Sequence, residues 1–237
     1  MNVRLEVCVD DAAGLAVAVA AGADRIELCA ALALGGLTPG AGLMVLAAKT
    51  AVPVFAMIRP RAGDFCWSSD EVAVMSHDIA AARAAGLAGV VLGASLPDGR
   101  LDREVLGQLV GQAAGLGLTL HRCFDLVPDP FEALEMAIDL GFQRILTSGL
   151  APTAAEGAGL LAQLVKAAAG RIVIMPGAGV GPETVGALAG VGYAEIHASC
   201  ASPVAQAGPA VALGFAPPVA RQTDAARIRA LRKLVSG

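Results

Sequence analysis

The sequence predicts an α/β chain folded as a TIM (β/α)8 barrel. Strand-like apolar runs alternate with helix-like runs from end to end, which implies a parallel sheet with helices outside it. Eight such units fit within 237 residues, a length that suits an eightfold barrel better than a doubly wound sheet. The punctuation agrees. Gly22, Gly86, Gly117, Gly141 and Gly192 each follow an apolar helical run and precede a strand, where a left-handed glycine ends a helix.

In chain order, strands are expected near 4–9, 25–29, 53–58, 89–93, 118–124, 144–147, 171–175 and 194–198. Each is a short run rich in Val, Ile and Leu bounded by turn residues. Helices are expected near 11–21, 40–50, 70–85, 102–115, 130–140, 153–168, 182–189 and 223–235. Ser68 with Glu71 forms a capping box before the third helix. Pro182 after Gly181 suits the first turn of the seventh. Residues 200–222 are rich in Pro, Ala and Gly without a clear period. They read as a long loop over the barrel before a last helix, and residues 1–237 read as a single domain.

Composition narrows the function. Apolar residues make up 56% of the chain and aromatics only 3%, so the core is built from Ala, Val, Leu and Ile. The net charge of −4 comes with no basic block, which argues against nucleic acid as a partner. Five cysteines, at 8, 29, 66, 123 and 200, include no C-x-x-C pair. That is neither a disulfide framework nor a zinc-ribbon spacing, and it points to reduced thiols in a cytoplasmic protein. The opening Met1-Asn2-Val3-Arg4-Leu5-Glu6 carries charge where a signal peptide needs an apolar core. The uncharged stretches 29–48 and 198–220 are broken by Gly and Pro, so neither reads as a membrane helix. A mean hydropathy of +0.66 and the apolar stretch at 200–220 point to a self-associating protein, a homodimer.

Function in a barrel gathers at the C-terminal ends of the strands. Glu6 and Cys8 sit two apart in the first strand, as do Glu27 and Cys29 in the second. Period-2 geometry turns both members of each pair to one face. A charge in mid-strand is costly unless something meets it, so these strands are expected to face a polar centre. Arg59 follows the third strand, His121, Arg122 and Asp125 mark the fifth, and His197 and Ser199 mark the eighth. Gly177-Ala178-Gly179 before a helix start could offer backbone amides to an anion. Bland alternatives stand beside these. Glu6 and Glu27 could pair structurally with Arg59 and Arg122. Cys8 and Cys29 could be packed core atoms. Equally, two thiols on adjacent strands could share Cu(I), which favours soft donors.

Several motifs together resemble the CutC copper-homeostasis family. They are Glu6-Val7-Cys8-Val9-Asp10, Gly22 through Cys29, Gly35-Gly36-Leu37-Thr38-Pro39 and Met57-Ile58-Arg59-Pro60-Arg61 with Gly63-Asp64-Phe65. His121-Arg122, Phe124-Asp125, Ile145 through Gly149, Met175-Pro176-Gly177 and His197-Ala198-Ser199 complete the set. The resemblance implies a TIM barrel, a cytoplasmic location and a part in copper handling. Ala62, Cys66-Trp67, Cys123 and Ala178 depart from the family pattern, so Cys8 and Cys29 are the candidate copper ligands. The alternative is a barrel enzyme, or a ligand-binding barrel, for a small metabolite, an anionic one included. Arg59 and Arg122 would then hold the anion, and His121 or His197 would move a proton between Glu6 and Glu27.

Overall fold

The computed structural model describes residues 3–236. Eight parallel strands form the interior: β1 (Arg4–Val9), β2 (Arg25–Leu28), β3 (Val54–Met57), β4 (Gly89–Leu92), β5 (Gly117–Leu120), β6 (Arg144–Thr147), β7 (Val173–Pro176) and β8 (Glu195–Ala198). Their order in the sheet is β7-β6-β5-β4-β3-β2-β1-β8. Strands β7 and β8 lie side by side and bring the sheet round into a barrel. No ladder joins those two among the described residues.

Outside run α1 (Ala12–Ala20), α2 (Ala41–Ala47), α3 (Ser69–Ala85), α4 (Arg103–Gln112), α5 (Pro130–Asp139) and α6 (Ala158–Ala168). Their starts are written in the sequence. Asp11, Ser68, Asp102 and Asp129 each accept a backbone N–H of the first turn, supplying donors that no helical carbonyl reaches.

Strand parity divides the core. Leu5, Val7, Ile26, Leu28, Val90, Leu92, Ile145, Ile174 and Ile196 face outward and pack with helix residues such as Leu15, Met75, Leu106 and Leu161. The opposite parity points into the barrel. Register carries that inner set round the ring: Glu6 pairs with Arg25 and His197, Cys8 with Glu27, and Glu27 with Phe55. Phe55 then pairs with Gly89, and Gly89 with Gly117. The two glycines make room for the Phe55 ring. A Cβ at Gly89 would lie 2.2 Å from it, and one at Gly117 2.6 Å.

Three expected elements are corrected. The run at 118–124 is a strand only to Leu120. His121 then accepts the Cys123 N–H and starts a 3-10 turn over Arg122–Leu126. The helix expected at 182–189 is a 3-10 turn, Val185–Leu188. The loop expected at 200–222 contains an antiparallel ladder of β9 (Ala201–Ala205) and β10 (Val219–Thr223), with the short α7 (Pro209–Ala212) between them. Both strands are largely exposed on both faces, so no alternating pattern marks them in sequence. The last helix is α8 (Ala225–Val235).

Candidate functional site

The barrel interior is charged from its base upward. Arg25 donates to Glu6 and, at 2.6 Å, to Glu195. Arg144 donates to Glu195 at 3.0 Å and to Thr119 at 3.1 Å. Both guanidiniums lie over the Phe55 ring, 5.3 and 4.9 Å from its centre. Burial disfavours charge on Glu6, but Arg25 and then His197 outweigh it and hold the carboxyl down at about 2. Glu195 is likewise lowered against burial, by Arg25, Arg144 and Arg4. Arg25, Arg144 and Phe55 were not among the sequence candidates. The available signal was parity: Arg25-x-Glu27-x-Cys29 places the arginine on the same face as both candidates.

Above this base sits His197. Its Nδ1 is 2.8 Å from Glu6 Oε1, and its Nε2 is 3.8 Å from Glu27 Oε2. One ligand atom each from Cys8, Glu27 and His197 lie within 4.8 Å of one another, and all three residues are buried. Cys29 stands one step away, its thiol 3.5 Å from Glu27 Oε2. The register explains the offset, because Cys8 faces Glu27 across the ladder, two residues before Cys29. Burial works against the imidazolium, yet Glu27, Cys8 and Glu6 outweigh it and lift His197 well above its ordinary value. Burial also raises Glu27; His197 pulls it down and Glu6 pushes it up, leaving a net rise. Cys29 is pushed well up by burial and by Glu27. The Glu27 Oε1 atom is buried without a hydrogen-bond partner.

Thiol, imidazole and carboxylate at this separation form a donor set suited to a borderline or soft metal ion. The orphaned Glu27 oxygen and the His197 Nε2, which faces Glu27, fit that use. Glu6 on Nδ1 is the outer partner that a metal-binding histidine usually has.

At the mouth, Arg59 braces two loops. Its guanidinium donates to Leu34 O at 3.1 Å, Gly36 O at 3.2 Å and Gly63 O at 2.9 Å. Phe65 packs against the Arg59 guanidinium and against the His121 ring. Burial and then the Arg59 charge push His121 down to about 3, so this imidazole is neutral.

Arg122 and Asp125 join a different cluster. Asp125 accepts from Arg122 Nε at 2.7 Å, Thr147 Oγ1 at 2.5 Å and the Ser148 N–H at 3.1 Å. Thr147 has outward parity on β6, so this cluster ties loops together beside the barrel wall and does not touch Glu6, Glu27 or His197. The Gly177 N–H is taken by Thr147 O, and Gly179 adopts a left-handed turn. A 3-10 turn, Val185–Leu188, follows where a helix start was expected. Ser199 follows β8, half-buried.

Known proteins match this architecture. The CutC family model matches residues 3–202. A CutC family protein from Rhizobium meliloti (strain 1021) is 60% identical, covering 98% of this chain and 95% of its own. One from Caulobacter vibrioides (strain NA1000 / CB15N) is 53% identical, covering 98% of both. The crystal structure of CutC from Streptococcus agalactiae, a protein named for copper homeostasis, superposes with a TM-score of 0.79 at 32% identity, covering 84% of this chain and 99% of that one. Thiamine phosphate pyrophosphorylase from Pyrococcus furiosus shares the fold alone, with a TM-score of 0.61 at 16% identity over 99% of this chain and 96% of that one. With the barrel, its motif-bearing strands and full-length relatives in agreement, the chain belongs to the CutC family.

Proposed function

We propose that this protein binds Cu(I) as cargo inside its barrel, with Cys8 Sγ and His197 Nε2 as the principal ligands and Glu27 beside them. The observation that carries the reading is the placement of those three ligand atoms within 4.8 Å of one another. Thiolate and imidazole suit Cu(I), and the name of the Streptococcus agalactiae relative points the same way. Cys29 is close enough to Glu27 to serve as an entry thiol.

Cys8 must lose its thiol proton and His197 its Nε2 proton before they ligate, so loading releases protons and weakens in acid. Glu6 keeps the Nδ1–H in place and fixes which nitrogen faces the ion. The five free thiols suit the reducing cytoplasm, and the exposed Leu213 and Phe215 of the 201–223 arm suit a homodimer. No described helix is long and apolar enough to cross a membrane.

Titration of reduced protein with Cu(I) against a competing chelator tests the reading. Tight one-to-one binding, lost in Cys8→Ala, is expected. Unchanged affinity in a folded Cys8→Ala, His197→Gln double variant would overturn it.

A further inference from the structure

The mouth of the barrel holds two buried hydrogen-bond donors with nothing to donate to. His121 Nδ1 accepts the Cys123 N–H at 3.2 Å. That assigns the ring proton to Nε2. Nε2 is itself buried and unpartnered, on a residue only 3% exposed. Arg59 is 6% exposed, and although its terminal nitrogens bind three carbonyls, its Nε is also buried and unpartnered.

The residues that carry these two donors pack on the same aromatic ring. The Phe65 ring touches both residues, 4.9 Å from the Arg59 Cζ and 4.7 Å from the His121 ring centre. Strand β4 lies between their strands, and Gly93 just beyond it has no side chain to separate them. A Cβ there would come within 2.4 Å of His121 Cε1. The imidazole therefore lies across the β4 backbone, and the Arg59 charge is felt at its ring.

Buried donors are normally satisfied, so a pair of orphans on rigid side chains marks an acceptor's place. One donor is permanently cationic, which favours an anion. Glu27 is level with Phe55, four residues before Arg59, and Glu6 with Arg25, a step lower, so two carboxylates beneath the mouth disfavour a dianion such as phosphate. The Phe65 ring supplies an apolar wall beside both residues.

We propose that the barrel mouth binds a small monocarboxylate, whose oxygens accept from Arg59 Nε–H and His121 Nε2–H. This site is separate from the Cu(I) ligands and stands or falls without them.

The test uses metal-free, full-length protein labelled with 15N and a long-range 15N–1H correlation that reads histidine rings. Sodium acetate is the probe; sodium chloride and inorganic phosphate at equal ionic strength are the controls. The expected result is a saturable shift of the His121 Nε2 resonance with acetate alone. His121→Phe should weaken acetate binding about tenfold or more, the equivalent of one lost charge-assisted hydrogen bond. An unmoved His121 resonance, or equal shifts with chloride and phosphate, overturns the proposal. So does acetate binding that a folded His121→Phe variant retains in full. Because the wild-type titration reads His121 directly, a variant that fails to fold does not rescue the idea.

Discussion

His197 is held between two carboxylates of different character: its Nδ1 lies 2.8 Å from Glu6 and its Nε2 lies 3.8 Å from Glu27. Glu6 is kept ionised at about 2, because Arg25 and His197 outweigh its burial, whereas burial lifts Glu27 upward. One acid is a fixed anchor and the other is free to change its proton or accept a new partner.

Replacing the anchor should therefore act through the histidine. Glu6→Gln keeps the shape but removes the charge on Nδ1. Loss of such an outer partner typically lowers metal affinity about 10–100-fold. Chelator competition with Cu(I) should show a drop of that size while Cys8 and His197 remain in place. Wild-type affinity in the variant would mean that Glu6 does not tune the ligand.

The two thiols should separate. Cys8 belongs to the three-residue cluster and Cys29 is one step outside it. Cys8→Ser should abolish tight Cu(I) binding, whereas Cys29→Ser should mainly slow loading. Stopped-flow transfer from a Cu(I) chelator, paired with equilibrium competition, distinguishes the two effects. Equal equilibrium losses would place both sulfurs on the ion.

Gly117→Ala should destabilise the barrel by about 1–3 kcal/mol through overpacking, because its Cβ would lie 2.6 Å from Phe55 Cζ. Pairing it with Phe55→Leu should recover part of the loss. Urea midpoints for the two single variants and the double variant measure the coupling. Simple additivity would show that the glycine is not there to admit the ring.

His121 should make the fold acid-sensitive. Its folded value is pushed from 6.5 down to about 3 by burial and Arg59. The unfolded chain therefore takes up a proton at a pH where the native imidazole stays neutral, and stability falls as the pH drops from about 6.5 toward 3. Arg59, in the loop after β3, supplies the opposing charge, Phe65 packs against the ring, and the Nδ1 contact, the Cys123 N–H, sits on the 3-10 turn. Urea unfolding at pH 7 and pH 5 should show a smaller difference in His121→Asn than in wild type. The same difference in both would assign the acid sensitivity to other groups.

The barrel was legible because its repeating signals are local: glycines such as Gly22, Gly86 and Gly141 at helix ends, the Ser68–Glu71 capping box and apolar runs of strand length. Gly117 instead opens β5 without a left-handed turn. The pairing of Glu6 with Cys8 and of Glu27 with Cys29 was legible for the same reason, since parity along a strand is a local property. Asp125 was misplaced because parity lapses where the chain leaves β5 for a 3-10 turn. Parity puts Arg25 on the face of Glu27 and Cys29, but the network it joins with Arg144 was not legible, because the shared partner Glu195 lies 170 and 51 residues away. The 201–223 ladder was hidden because strands exposed on both faces carry no hydrophobic alternation.

The neighbouring strands β7 and β8 lack a described ladder, yet the ring is not loose there. Arg144 on β6 reaches Glu195 on β8 at 3.0 Å, and Met175 on β7 contacts Arg25 at 3.1 Å. The cylinder is thus buckled across its gap by buried side chains. A clasp of this kind resists added salt, because buried charges are poorly screened. It yields instead to acid, which neutralises Glu195 and leaves two arginines facing each other. Conditions that open the protein at this gap would leave the β8-β1-β2 ladders intact, so Cys8, Glu27 and His197 would swing together as one leaf of the opened wall.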